Sequence, residues 1–228
     1  MTPTANEHYV SDQIDPMFIA AARDWLYPHL VHGRILNVGL GYGTWDERLC
    51  RETGSKVIGL DISSELVEHH RAKYPQIEYS AVDVFGYRPP HAFDTIVASH
   101  LLEHIDDAIG LLRLFGQWLT PQGRLLVVVP NAHSVHRIIG RRMGLLRELT
   151  DLNDGDRMLG HVRVYTPALL RSHFQEATLQ VREFSGVTFK SLSNRQLAAM
   201  PREYVEACCA LSTEVGDLAG QLAVVASR

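Results

Sequence analysis

The chain has 228 residues, 46% of them hydrophobic and 21% charged, which suffices to bury one sizeable core in a single domain. Its 22 basic and 26 acidic residues give a formal charge of -4, so it lacks the bulk positive field that would hold a nucleic acid backbone. No apolar run approaches the roughly 20 residues needed to cross a bilayer, and the opening MTPTANEHYVSDQID lacks the basic and apolar parts of a signal peptide, so a cytoplasmic protein with no membrane partner is expected.

Residues 14–32 carry Phe18, Trp25 and Tyr27 on a helical spacing, a helical cover within an N-terminal part that runs to residue 33. Five β-rich runs follow: 35–38 (ILNV), 57–60 (VIGL), a weaker 77–82 (IEYSAV), 94–98 (DTIVA) and 124–129 (RLLVVV). Between them 44–51, 63–74 and 104–119 have helical spacing, the alternation of βα units on a parallel sheet. Residues 131–165 are too long for an ordinary strand-to-helix connection and are expected to form a lid inserted after the fifth strand. A helix at 166–177, a strand near 179–184, a second insertion at 186–218 and a closing QLAVVAS complete the chain. The expectation is an α/β fold with a mostly parallel sheet of about seven strands and helices on both faces. Cys50, Cys208 and Cys209 have no zinc spacing and read as reduced, small apolar residues.

The first strand runs into glycines at alternate positions, Gly39, Gly41 and Gly43. Glycines there let a backbone approach a ligand at the carboxyl end of a sheet. The dinucleotide motif G-x-G-x-x-G requires a glycine at position 44, which is Thr44. Asp61 ends the second strand eighteen positions after Gly43, where a carboxylate can accept both hydroxyls of a ribose. Asp83 follows the next strand, within reach of an adenine amino group. Together they describe a pocket for an adenosine moiety without phosphates; the alternative is that both acids cap helices.

The motifs NVGLGYG (37–43), GLDIS (59–63), AVDVFG (81–86), FDTIVASHLLEHIDD (93–107) and LTPQGRLLVVVPN (119–131) resemble, in order and spacing, those of class I S-adenosylmethionine-dependent methyltransferases. The resemblance implies a Rossmann-like fold with core 34–130 and a last antiparallel strand within 166–228, with S-adenosylmethionine as cofactor. It implies that Gly39, Gly41 and Gly43 line the methionyl part, Asp61 meets the ribose, Asp83 with Val84 meets the adenine, and Ser99 reaches the methionine end. Asn37 and Ile62, inside the same motifs, join that set.

His100-Leu101-Leu102-Glu103-His104 formally matches a zinc-hydrolase pattern, but it follows a strand at once and offers no third ligand, so no metal is expected. Either His100 or His104 serves as general base for a hydroxyl acceptor, or each braces the helix that follows. In 160–166 (GHVRVYT) His161, Arg163 and Tyr165 share one side if the backbone is extended; the resemblance implies that such a segment borders the substrate, which makes His161 and Tyr165 further candidates, and the alternative is an edge strand. Four arginines at 137, 141, 142 and 147 precede acids at 148, 151, 154 and 156; they receive an anionic substrate or pair with those acids.

The expected activity is methyl transfer to oxygen or nitrogen of a small molecule such as a sugar, lipid or natural-product intermediate, with a homodimer left open. The rival readings are a nicotinamide oxidoreductase, a nucleic acid or protein methyltransferase, and a non-catalytic interaction module of the same fold.

Overall fold

The computed structural model describes residues 14–41, 45–211 and 214–228. In chain order the elements are α1 (Ile14–Leu26), β1 (Arg34–Val38), α2 (Trp45–Thr53), β2 (Lys56–Asp61), α3 (Ser64–Lys73), β3 (Glu78–Ala81), β4 (Phe93–Ser99), α4 (Ala108–Trp118), β5 (Leu119–Pro130), α5 (Val135–Arg142), α6 (Asp154–Met158), α7 (Pro167–Glu176), β6 (Gln180–Val187), α8 (Asn194–Leu197), α9 (Arg202–Ala210) and β7 (Gln221–Ser227). The strands form one sheet in the order β3-β2-β1-β4-β5-β7-β6. Strands β1 to β5 pair in parallel, and β7 runs antiparallel to both β5 and β6. Strand order reverses between β1 and β4, and at such a switch point the carboxyl ends of neighbouring strands open a crevice.

The sheet is buried on both faces because its central strands are apolar at consecutive positions. Neighbours point opposite ways: Leu36 joins one cluster with Ile96, Phe115 and Phe174, and Ile35 joins another with Val97, Leu26, Leu49 and Val67. Helices α4 and α7 thus cover one face, and α1, α2 and α3 the other. The 186–218 insertion packs onto α1 through a small cluster of Phe18, Leu197, Val205 and Cys208.

Local chemistry sets the helix starts. The Ser63 hydroxyl accepts from the Leu66 amide, and the Thr166 hydroxyl from the Leu169 amide with Pro167 in the first turn. The single helix expected over 104–119 is instead a 3-10 turn, Leu102–His104, followed by α4, because the Asp107 carboxylate accepts from the Gly110 amide and starts the helix there. Strand β5 begins at Leu119, earlier than the apolar run suggests, because Leu119 pairs with Phe93.

The segment 131–165 holds α5 and α6. Arg137 ties them together: its guanidinium donates to Asp156 (3.0 Å), to the Leu149 carbonyl (2.9 Å) and to the Asp151 carbonyl, and the side chain is buried. Arg141 lies 3.6 Å from Glu148. Of the two readings of these arginines, pairing with the neighbouring acids describes Arg137 and Arg141.

Candidate active site

Strand β1 delivers Gly39 and Gly41 to the crevice in left-handed conformations, φ +80° and +57°. A side chain at Gly41 would meet no atom of the described residues within 4 Å, so it is the backbone that calls for glycine there. Gly43 and Thr44 lie outside the described residues. Asp61, at the tip of β2, holds the turn from the side: one carboxylate oxygen accepts from the Leu40 amide at 2.8 Å, the other from the Ser63 amide at 2.9 Å. Ser63, not Asp61, caps α3, and each Asp61 oxygen keeps a lone pair for a ligand hydroxyl. Beside it Ile62 is 77% exposed, an apolar surface that a flat ligand ring would cover. Asp83 is exposed and one of its oxygens accepts the Phe85 amide at 2.9 Å in a turn where no helix starts; Val84 next to it is buried.

These residues fit S-adenosylmethionine: an open glycine turn for the amino-acid part, a carboxylate for the ribose, an apolar ledge and a second acid for the base. Asn37 differs from its expected role. It is buried, and its side-chain amide donates at 2.5 Å to Asp46 in α2, beneath the turn.

The end of β4 supplies the polar groups of the crevice. Ser99 is buried, with its hydroxyl 3.1 Å from the Nδ1 of His100. His100 adopts φ +57°, and its amide donates to the Val128 carbonyl at 2.8 Å. Burial, reinforced by the charges of Arg23 and of neighbouring imidazoles, lowers the His100 pKa to about 3. His104 is likewise lowered, to about 4, first by burial and then by His161. Both are neutral imidazoles at neutral pH.

His161, Arg163 and Tyr165 do share one side, and that side faces the turn 102–106. Arg163 donates to the carbonyls of Leu102 (3.1 Å), Ile105 and Asp106 (2.9 Å). Tyr165 is fully buried, its hydroxyl 3.4 Å from the Leu102 carbonyl and 3.3 Å from His173, and burial pushes its pKa up to about 12. It braces the turn from within. His161 meets His104 edge to face at 4.8 Å between ring centroids, and its Nδ1 lies 3.2 Å from Asp156. Asp156 has its pKa lowered to about 2: burial opposes ionisation, and the facing His161 ring with the hydrogen bonds from Asn153 and Arg137 outweighs it.

Glu103 is the residue that the spacing of its motif does not single out. It is fully buried, neither carboxylate oxygen has a hydrogen-bond partner among the described residues, and burial raises its pKa to about 7. Donor atoms of Glu103, His104 and His161 lie within 4.8 Å of one another, a set of one carboxylate and two imidazoles that a divalent cation could share. The third donor, His161, comes from the 131–165 segment, 57 or more positions along the chain, which is why the motif alone offers none.

The profile of a methyltransferase domain matches residues 8–183. The chain is 27% identical over 195 residues to a ubiquinone biosynthesis O-methyltransferase of Aeromonas salmonicida, covering 80% of this chain and 77% of that protein. A protein of the same name from Xanthomonas euvesicatoria is 27% identical over 176 residues, 73% of this chain and 70% of the other. The fold is similar to an S-adenosylmethionine-dependent methyltransferase from Mesorhizobium loti, with TM-score 0.66, 23% identity and coverage of 91% and 98%. It is also similar to one from Archaeoglobus fulgidus, with TM-score 0.61, 19% identity and coverage of 92% of each chain. The match over residues 8–183, on a seven-stranded sheet with a glycine turn at its switch point, makes this chain a member of the class I S-adenosylmethionine-dependent methyltransferase family.

Proposed function

We propose that the protein methylates a hydroxyl oxygen of a small molecule, the reaction class carried in the name of its ubiquinone-biosynthesis relatives, and that His161 is the general base. The observation that carries this reading is the Asp156–His161 pair beside His104 at the end of β4. An amine acceptor needs only to be neutral, whereas a hydroxyl of high pKa must lose its proton as the new bond forms. The Asp156 carboxylate, 3.2 Å from Nδ1, favours the imidazolium that forms as the other ring nitrogen takes that proton.

When bound, S-adenosylmethionine supplies an electrophilic methyl group on a sulfonium. The chain's own part is to orient and to accept the proton. On this reading Gly39, Gly41, Asp61, Ile62, Asp83, Val84 and Ser99 hold the cofactor, and neutral His100 and His104 line the acceptor side without carrying charge. The segment 131–165, which contributes both His161 and Asp156, then acts as a lid that completes the base. A net charge of -4 suits a small acceptor better than a nucleic acid, and we place the reaction in the cytoplasm.

The test is a screen of hydroxylated small molecules for formation of S-adenosylhomocysteine, followed by kinetics of His161→Ala and Asp156→Asn on the best acceptor, with and without chelator. With a base removed, kcat falls about a hundredfold while cofactor affinity is kept. Wild-type turnover in His161→Ala, or methylation confined to amines, would sink the reading. Activity abolished by chelator and restored by a divalent cation would assign His161 to a metal instead.

A further inference from the structure

Methyl transfer by way of His161 gives Glu103 no task. Glu103 is fully buried in the 3-10 turn after β4, and neither of its carboxylate oxygens has a hydrogen-bond partner among the described residues. A carboxylate taken out of water without donors or a counter-ion is costly, so these two oxygens mark a place where a cation is stabilised. What stands beside them is imidazole nitrogen: donor atoms of Glu103, His104 and His161 lie within 4.8 Å of one another.

The backbone holds the three together. Glu103 and His104 are neighbours in the turn, and the Val162 amide, next to His161, donates to the Glu103 carbonyl at 2.8 Å. Zinc keeps its nitrogen and oxygen ligands at about 2.0–2.2 Å, so any two of them stand at most about 4.4 Å apart. Small rotations of the three side chains close the difference from 4.8 Å. The Asp156 carboxylate, 3.2 Å from His161 Nδ1, stands where an acid orients a metal-binding imidazole and makes it more basic. His104 has an edge open to solvent, which gives an ion its way in. Two imidazoles with one carboxylate suit zinc or cobalt(II), whereas magnesium and calcium prefer oxygen throughout.

We propose that Glu103, His104 and His161 form a site for a divalent cation of the zinc class, and that filling it silences methyl transfer by taking up the lone pair of His161. A neutral imidazole has a single lone pair in the plane of its ring. Once that pair is given to a cation, no nitrogen of the ring can receive the proton of the acceptor hydroxyl. Metal and proton therefore compete for one residue, and the site is regulatory. The silencing rests on the reading of His161 as the base; the metal site does not.

The experiment titrates the full chain, purified in chelator and then freed of it, with zinc by calorimetry, in wild type, Glu103→Gln and His161→Ala. Cobalt(II) absorption reports the coordination in parallel. The expected result is one strong site in wild type, weakened at least about tenfold in each variant, since even the outer partner of a ligand is worth that much. Turnover on the best acceptor is then read for wild type and Glu103→Gln as the ratio with and without zinc. At zinc about tenfold above the wild-type dissociation constant, mass action leaves about one tenth of wild-type turnover. The ratio for Glu103→Gln stays near one. Equal zinc affinity and equal cobalt spectra in the three proteins overturn the site. Turnover that survives a filled site, or that zinc suppresses equally in Glu103→Gln, overturns the silencing. Zinc that binds as expected and raises wild-type turnover keeps the site but overturns both the silencing and the reading of His161 as the base.

Discussion

Asp61 ends β2 and Glu103 sits in the 3-10 turn after β4, and their surroundings give these two carboxylates opposite tasks. Asp61 is half-buried and takes an amide on each oxygen, so it is set to receive further donors. Glu103 is fully buried without a partner, and burial lifts its pKa to about 7. A carboxyl raised from its ordinary 4.5 contributes fully to stability below 4.5, where both states are protonated, and that contribution is lost as pH climbs through 7. The loss amounts to about 3 kcal/mol. Glu103→Gln therefore gains melting temperature relative to wild type between pH 5 and pH 8 in chelator, a difference that thermal denaturation reads directly; a difference independent of pH would contradict the burial argument. Gly41 offers a test of conformation, since a methyl group there meets no atom of the described residues: Gly41→Ala is expected to cost about 1 to 2 kcal/mol of stability through its φ of +57°. The positions of the two glycines and of Asp61 are legible in the sequence because each follows a strand. The approach of His70 in α3 to Asp46 in α2, at 3.3 Å, is not, because nothing in the spacing of two residues on separate helices says that they meet.

At the scale of elements, the order of strands and helices follows from apolar runs and caps, and the bounds of β1, β2, β4 and β7 lie within one residue of the runs that mark them. What the sequence does not disclose is how long segments fold back. The 131–165 stretch shows only a reversal of charge, and the structure turns this into Arg137 gripping Asp156 and two carbonyls between α5 and α6. Removing one member of a buried pair leaves the other charge unmatched, typically 3–5 kcal/mol. Arg137→Leu should therefore cost about 3 kcal/mol and loosen 145–160 selectively, visible as faster amide exchange there and as lost turnover through His161. Uniform exchange across the chain would mean that the segment has no stability of its own. The helix over 104–119 starts later than its spacing predicts for a local reason: His104 sits in a 3-10 turn, and the Asp107 cap outweighs the helical spacing before it.

For the whole molecule, the parallel strands β1 to β5 put their carboxyl ends, with the glycine turn, Asp61 and the β4 histidines, on one edge of a single sheet. No helix among the described residues is long and apolar enough to cross a membrane. The fold class and the cofactor were readable from five short motifs, since those residues must touch a shared cofactor. The acceptor side was not, because the base proposed here, His161 with Asp156, meets the turn after β4 only when the 131–165 segment has folded onto it. The central claim is that Asp61 and the glycine turn bind S-adenosylmethionine. Its most direct test is calorimetric titration of wild type and Asp61→Ala with S-adenosylmethionine and, separately, NADH. The account predicts that wild type binds the first and not the second, and that the variant, still folded by circular dichroism, loses about a hundredfold in affinity, the loss expected for two hydrogen bonds to a charged group. Equal binding by the variant, or a preference for NADH, would contradict it.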